Sequence, residues 1–348
     1  LVEIVKATYF DPKIVVIDET TTALSQEGRE ELYKHMDRIR ESGNTVIFIS
    51  HDLPEIIERS DTITILRDGV YIDTVKSSDV DEDALKKLMV GREVTGDYYR
   101  SDYGEKVSDE VVLSVKNVTV PGLIENVTFD LHKGEILGFG GLSESGMHEI
   151  GKAIFGASYD REGSVTLADG TQINDIPTAI KHSIAYTSKD RDNESVVLNQ
   201  SIGDNICLPS LDELAGKGPF LSDKKRRDFA NTYAQQMSVK MVNVDQFVSN
   251  LSGGNKQKVV LARWIGKDSD IVVLDSPTRG IDIKVKQDIY QLMNEMRKNG
   301  KSIIMISEEL MELIGMCDRI VIMKDGKISG ELGRDEHLDE NGLISMMV

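Results

Sequence analysis

One segment occurs twice in this chain, and the distance between its copies never changes. IVVIDETTTALS begins at Ile14 and IVVLDSPTRGID at Ile271, an offset of 257 residues. The same offset carries RESGNTVIFIS (40–50) onto RKNGKSIIMIS (297–307), and SDTITILRDG (60–69) onto CDRIVIMKDG (317–326). No gap is needed, so both segments are expected to share one fold. A repeat of this length limits the architecture more than any composition can.

Each copy alternates strand and helix. IVVID is short, continuous and β-branched, the pattern of a buried strand. EGREELYKHMDRIRES places Leu32, Met36 and Ile39 at helical spacing, and Gly43 can end that helix. TVIFIS follows as a second buried strand. This alternation predicts βαβ units and a parallel sheet.

The stretch from Val111 onward has no counterpart before the first copy. There VVLSVKNVTV and ENVTFDLHKGEILGF predict antiparallel strands that run into one buried strand and a glycine-rich loop. Residues 95–110, TGDYYRSDYGEKVSDE, are polar, lack an apolar period and read as a linker. The expected organisation is therefore a C-terminal portion of a first domain (1–94), a linker (95–110) and a second domain (111–348). The first domain is expected to lack its N-terminal part, and the chain begins at Leu1 rather than Met.

Totals narrow the class. A chain of 348 residues can bury two cores. With 41 basic and 59 acidic residues the net charge is −18, which argues against a nucleic-acid partner, since phosphate contacts need clustered Lys and Arg. Cys207 and Cys317 have no metal-ligand spacing; they fit a reducing setting and exclude a disulfide scaffold. Apolar runs such as SIIMIS are too short to span a bilayer, and no signal-peptide pattern is visible.

LSGGNKQKVVLARWI (251–265) sets Ser252, Gly253, Gly254 and Asn255 at the start of a basic helix. A strand, a turn and another helix follow. Ser-Gly-Gly alone is an ordinary helix cap. In this context it resembles the signature motif of ATP-binding cassette (ABC) ATPases. The resemblance implies an α/β P-loop NTPase cassette: a mixed sheet flanked by helices, an antiparallel β part, and a helical insert around Ser201 to Gln246. A hydroxyl and backbone N–H groups at a helix N-terminus suit a γ-phosphate.

Further roles follow from that resemblance. IVVIDE is similar to a Walker B strand, so Asp18 would hold Mg²⁺ and Glu19 would polarise the attacking water. TTALS (21–25) is similar to the D-loop, and His51 falls where these ATPases place a histidine on the γ-phosphate. The second copy departs from the pattern. Asp275 corresponds to Asp18, but Ser276 replaces the glutamate and Glu308 the histidine. A hydroxyl is no substitute for a carboxylate base, and a glutamate beside a phosphate adds like-charge repulsion.

The glycine loop departs as well. Walker A reads G-x-x-x-x-G-K-[ST], with Lys on the phosphates and the hydroxyl on Mg²⁺. Here it runs from Gly141 to His148 as GLSESGMH. Gly141 and Gly146 keep their spacing, while Met147 takes the lysine position and His148 the hydroxyl position. Ser143, Glu144 and Ser145 fill the interior, Glu144 adding negative charge. Such a loop either contacts nucleotide through backbone N–H groups alone or binds nothing. Lys189, in YTSKDRD, stands near the usual glutamine of the Q-loop and can replace part of the missing charge. Val120 and Pro121 occupy the place of an adenine-stacking aromatic.

Cassettes of this family pair head to tail, so each ATP lies between one domain's Walker motifs and the other's signature. One competent site is implied: Asp18, Glu19 and His51 facing Ser252, Gly253 and Gly254, with a Walker A lying before residue 1. The second site would be degenerate. Tandem cassettes with LSGGNKQKVVLARWI, SPTRGID and KLMVGREV (87–94) resemble ATPases of bacterial simple-sugar importers of the ribose and galactose type. ATP and Mg²⁺ are the implied cofactors. Permease subunits and a periplasmic or lipoprotein sugar-binding protein are the implied partners, at the cytoplasmic face of the membrane. Nucleoside importers of the same tandem type are the nearest rival. Soluble ribosome-associated ABC factors are another, disfavoured by the short polar linker and acidic balance. Without a first Walker A, this chain by itself is expected to hydrolyse little ATP.

Overall fold

The computed structural model describes residues 6, 7, 9, 12–18, 20–24, 26–50, 52–67, 70–90, 98–102, 107–215, 220–334 and 340–347. It divides into two units, one of residues 1–97 with 282–284, the other of 98–281 with 285–348.

In the smaller unit, β1 (Ile14–Asp18) pairs in parallel with β2 (Thr45–Ile49), Ile14 opposite Thr45 and Asp18 opposite Ile49. The helix Gln26–Glu41 joins them and buries Leu32 and Met36 against Val15 and Ile17. After the helix Leu53–Arg59, β3 (Thr62–Arg67) and β4 (Val70–Lys76) form a hairpin, followed by the helix Glu82–Val90.

The strand expectation holds here, but the burial expectation does not. Ile14 and Val16 are 59% and 58% exposed, and Ile47 and Ile49 lie open on β2. Side chains alternate between the two faces of a strand. Among the described residues of this unit, the helix covers one face and leaves the other uncovered.

The larger unit starts with β5 (Val111–Val120) and β6 (Ile124–His132), which form an antiparallel sheet with β8 (Glu162–Leu167) in the order β6–β5–β8. A second sheet holds β7 (Ile136–Gly141), β9 (Ile184–Thr187), β10 (Ile271–Asp275), β11 (Ser302–Ile306), β12 (Arg319–Lys324) and β13 (Lys327–Gly333). Its order is β13–β12–β7–β11–β10–β9, and only β13 is antiparallel. β7, β10 and β11 are buried along their whole length, as strands covered on both faces are. The region expected to be a helical insert contains the helices Ile202–Cys207, Leu211–Ala215 and Asp223–Gln236.

The repeat is realised residue by residue. β10 pairs β11 with Ile271 opposite Ser302 and Asp275 opposite Ile306, the β1–β2 register moved by 257. The helices Ile283–Lys298 and Leu310–Met316 correspond in the same way to Gln26–Glu41 and Leu53–Arg59. Even the irregularity in the hairpin between Ile65 and Leu66 recurs between Ile322 and Met323.

Part of the segment read as a linker belongs to the larger unit. The rings of Tyr98 and Tyr99 pack on Tyr290 at 5.5 and 5.3 Å. Arg100, its side chain fully buried, pairs with Asp102 and Asp318 at 2.9 and 2.8 Å. Residues 91–97 and 103–106 lie outside the described residues.

Candidate functional site

Four parallel neighbours, β7, β11, β10 and β9, end on the same edge of the large sheet. In open α/β sheets that carboxyl edge is where ligands bind. It gathers residues far apart in sequence: the loop after Gly141, Ser188 and Lys189 after β9, Asp275 and Ser276 at the end of β10, and Glu308 after β11. All of these but Glu308 border a cleft of about 690 Å³.

The two glycines of the loop after β7 are held by their surroundings. Gly146 has φ +90°, and a Cβ there would stand 2.6 Å from Ile124 Cγ2 and 2.8 Å from the Leu123 carbonyl oxygen. At Gly141 a Cβ would meet the Met323 carbonyl at 2.7 Å. Both glycines are therefore required by space, and at Gly146 by conformation too. Ser143 and Glu144 are exposed, Ser145 is buried, and Met147 is wholly buried in the core. The lysine position thus serves packing rather than phosphate contact. Val120 is likewise core.

His148, 7% exposed on the first turn of the helix Met147–Ile154, is the centre of the cleft's chemistry. Its Nδ1 lies 2.7 Å from Asp275 Oδ1, which also accepts from Ser276 Oγ at 3.1 Å. Nε2 lies 3.0 Å from Lys189 Nζ and 3.4 Å from Glu308 Oε1. Glu308 Oε1 accepts from Lys189 Nζ at 2.6 Å and from Ser143 Oγ at 2.9 Å. Burial opposes the charged imidazole, yet hydrogen bonds to Asp275 and then Glu308 hold its pKa above the ordinary histidine value. The bond from His148, then those from Lys189 and Ser143, hold the Glu308 carboxyl far below the usual range against burial. The like charge expected from Glu308 is therefore met by cations of the chain itself.

Ser252 to Asn255 stand at the start of a helix. Ser252, extended at φ −65° and ψ 159°, precedes the helix Gly253–Gly266 and makes no side-chain cap. Its Oγ accepts from Asn255 Nδ2 at 2.9 Å, and Asn255 Oδ1 accepts from the Lys240 amide at 2.8 Å. An Arg191 guanidinium nitrogen would lie 3.1 Å from a Cβ at Gly253, so a larger residue there would have to shift that side chain slightly. Among the described residues, no hydrogen bond joins these four to His148, Asp275 or Glu308.

In the smaller unit Asp18 ends β1 and is exposed. No side chain among the described residues bonds to its carboxylate, in contrast to Asp275. Thr20–Ala23 forms a short 3₁₀ turn in the expected D-loop. Glu19, His51 and Ser25 lie outside the described residues.

Sequence reasoning missed one device that occurs in both units. Glu312, 1% exposed, accepts from Thr278, Ser307 and Tyr290. Glu55 accepts from Thr21, Ser50 and Tyr33. All four members are related by the 257-residue offset. In each unit the carboxylate ties the loop after one strand to the end of the next. Aligning HDLPEII with EELMELI shows the shared glutamate, so the signal was present. Lys286 adds a cation to the second cluster, bonding Glu309 at 2.8 Å.

The ABC transporter family pattern matches residues 124–279. A ribose import ATP-binding protein of Clostridium perfringens is 39% identical over 342 residues, covering 98% of this chain and 68% of that protein. A xylose import ATP-binding protein of Thermoanaerobacter pseudethanolicus is 41% identical over 345 residues, covering 97% and 68%. In fold, the chain is similar to a dimeric ATP-binding cassette in a post-hydrolysis state with ADP and Pi. That likeness has a TM-score of 0.56 at 22% identity and covers 64% of this chain and 98% of that one. A nucleotide-free cassette from an ABC transporter gives 0.56 at 17% identity, over 68% and 99%. Signature helix, glycine loop, sheet order and relatives agree: the chain belongs to the ABC transporter ATPase family.

Proposed function

We propose that this protein binds and hydrolyses ATP to energise import of a monosaccharide through a membrane permease. It would work at the cytoplasmic face of the membrane, with a separate sugar-binding protein delivering the substrate. The observation that carries the reading is the 39–41% identity over nearly the whole chain to ribose and xylose import ATP-binding proteins.

We further propose a division of labour between two sites. The competent one unites Asp18, Glu19 and His51 with Ser252, Gly253 and Gly254 of the other cassette. It also needs a GxxxxGK[ST] loop, a sequence that does not occur within these 348 residues. Mg²⁺, when bound there, would neutralise charge on the phosphates. Asp18, exposed at a strand end, fits such a ligand. Glu19 would orient a water and accept its proton, His51 would contact the γ-phosphate, and the signature amides would face the same group. The second cleft, with Ser276 and Glu308 in place of acid and imidazole, would not turn over.

The test supplies a first-cassette segment carrying a GxxxxGK[ST] loop ahead of Leu1, assembles that protein with the permease subunits it copurifies with in liposomes, and measures ATP hydrolysis and uptake of labelled ribose and xylose. Glu19→Gln is expected to lower ATPase by about 10²-fold or more, while Ser276→Ala leaves it essentially unchanged. No uptake of any pentose or hexose, or equal damage from both substitutions, overturns the reading.

A further inference from the structure

The fold family holds Mg²⁺ beside the aspartate that ends the Walker B strand, here Asp275. The residues around Asp275 do not fit that ion. Mg²⁺ demands near-octahedral oxygen ligands and gives up water reluctantly, so it needs a carboxylate oxygen it can reach. Asp275 Oδ1 is taken by His148 Nδ1 at 2.7 Å and Ser276 Oγ at 3.1 Å. Its Oδ2 is buried from solvent, without a hydrogen-bond partner among the described residues. His148 occupies the position whose Ser or Thr hydroxyl would bind the ion in the family motif.

The protonation state of His148 does not alter this. Asp275 can only accept when ionised, so Nδ1 must donate to it. With a neutral ring, Nε2 accepts from Lys189 Nζ at 3.0 Å, and Lys189 in turn bonds Glu308 at 2.6 Å. The result is a continuous chain, Asp275–His148–Lys189–Glu308–Ser143, spanning the loop, β9, β10 and β11. With the ring neutral every link is a donor meeting an acceptor; with the ring protonated Nε2 donates to Glu308 Oε1 at 3.4 Å instead, and in both states Nδ1 stays on Asp275 and the lysine ammonium stands where a further cation would be repelled.

We propose that this cleft takes no divalent cation, because the ring of His148 fills the metal position at Asp275 and Lys189 supplies the countercharge to Glu308. The inference rests on reading this as a cassette's nucleotide cleft, but it concerns the metal alone.

The test uses the whole chain and Mn²⁺ as the probe. Paramagnetic broadening of the His148 ring signal, assigned by its absence in His148→Gln, reports a metal at Asp275. Free Mn²⁺ measured by electron paramagnetic resonance gives the binding isotherm. The wild-type His148 signal is expected to keep its width up to about 1 mM Mn²⁺, and Asp275→Asn to leave the isotherm unchanged. His148→Thr, which returns a hydroxyl, should gain a Mn²⁺ site that the added Asp275→Asn removes. Broadening of His148 at stoichiometric Mn²⁺, or weaker Mn²⁺ binding in Asp275→Asn alone, overturns the proposal. A His148→Thr chain that gains no site overturns the assignment of the exclusion to His148. Failure of sugar uptake or ATP hydrolysis leaves these readouts intact and bears only on the proposed function.

Discussion

Replacing Glu312 by alanine should destabilise the larger unit more than any surface change. Glu312 is 1% exposed and is the shared acceptor for Thr278 at 2.7 and 2.8 Å, Ser307 at 2.9 Å, Tyr290, and Lys286 at 3.3 Å. Its removal strands buried hydroxyl donors, each costing about 1–3 kcal/mol if no new partner is found. Lys286 keeps Glu309 at 2.8 Å, so the larger penalty of an orphaned buried charge is avoided. Hydroxyls of Ser307 and Thr278 can rotate, whereas the Tyr290 hydroxyl is fixed by its ring within a 1% exposed site. The net loss is about 4 kcal/mol. For a body of this size, about 2–4 °C per kcal/mol gives a fall in Tm of about 8–16 °C. Trp264, the only tryptophan, lies in the helix Gly253–Gly266 of that unit, so its fluorescence follows the relevant transition. Glu312→Gln, which retains one acceptor oxygen and the shape, should cost about 1–2 kcal/mol. A fall of less than about 3 °C for the alanine variant, or equal falls for both variants, would show that the cluster does not hold the two loops together.

Two other outcomes follow from the same structure. Gly146→Ala forces a Cβ into the left-handed region at φ +90° and within 2.8 Å of the Leu123 carbonyl; it should cost about 2–4 kcal/mol in denaturant unfolding, and an unshifted midpoint would contradict it. Burial alone would raise the Asp102 carboxyl, but bonds from Arg100 and then Arg297 bring it down to about 2 from 3.8. A depressed carboxylate adds stability above its unfolded value and loses it as pH falls. Asp102→Asn should therefore flatten the acid limb of unfolding between about 3.8 and about 2, and an unaltered limb would refute the pairing. The Glu19→Gln and Ser276→Ala contrast and the Mn²⁺ titration complete the set.

Local pattern was enough wherever neighbours in sequence decide the outcome. The constant offset foretold matching strands and helices, because identical spacing of apolar residues selects identical elements. LSGG opened a helix, and the two glycines of the loop after β7 marked positions where a Cβ has no room. The pattern failed where burial depends on what packs from outside the segment. IVVID and IVVLD look alike, yet the first has one open face and the second none. Tyr98 to Arg100 sit in a stretch whose polarity hid their packing on Tyr290 and Asp318.

The sequence by itself determined the cassette family and the internal repeat, and it marked Met147, His148, Ser276 and Glu308 as departures from the expected motifs. Only the tertiary structure decided what these side chains touch. His148 and Asp275 are separated by 127 residues, and Lys189 and Glu308 by 119. No local periodicity relates such positions. They meet because parallel pairing brings the carboxyl ends of β7, β9, β10 and β11 to one edge, where a ring, an ammonium and two carboxylates within bonding distance satisfy one another.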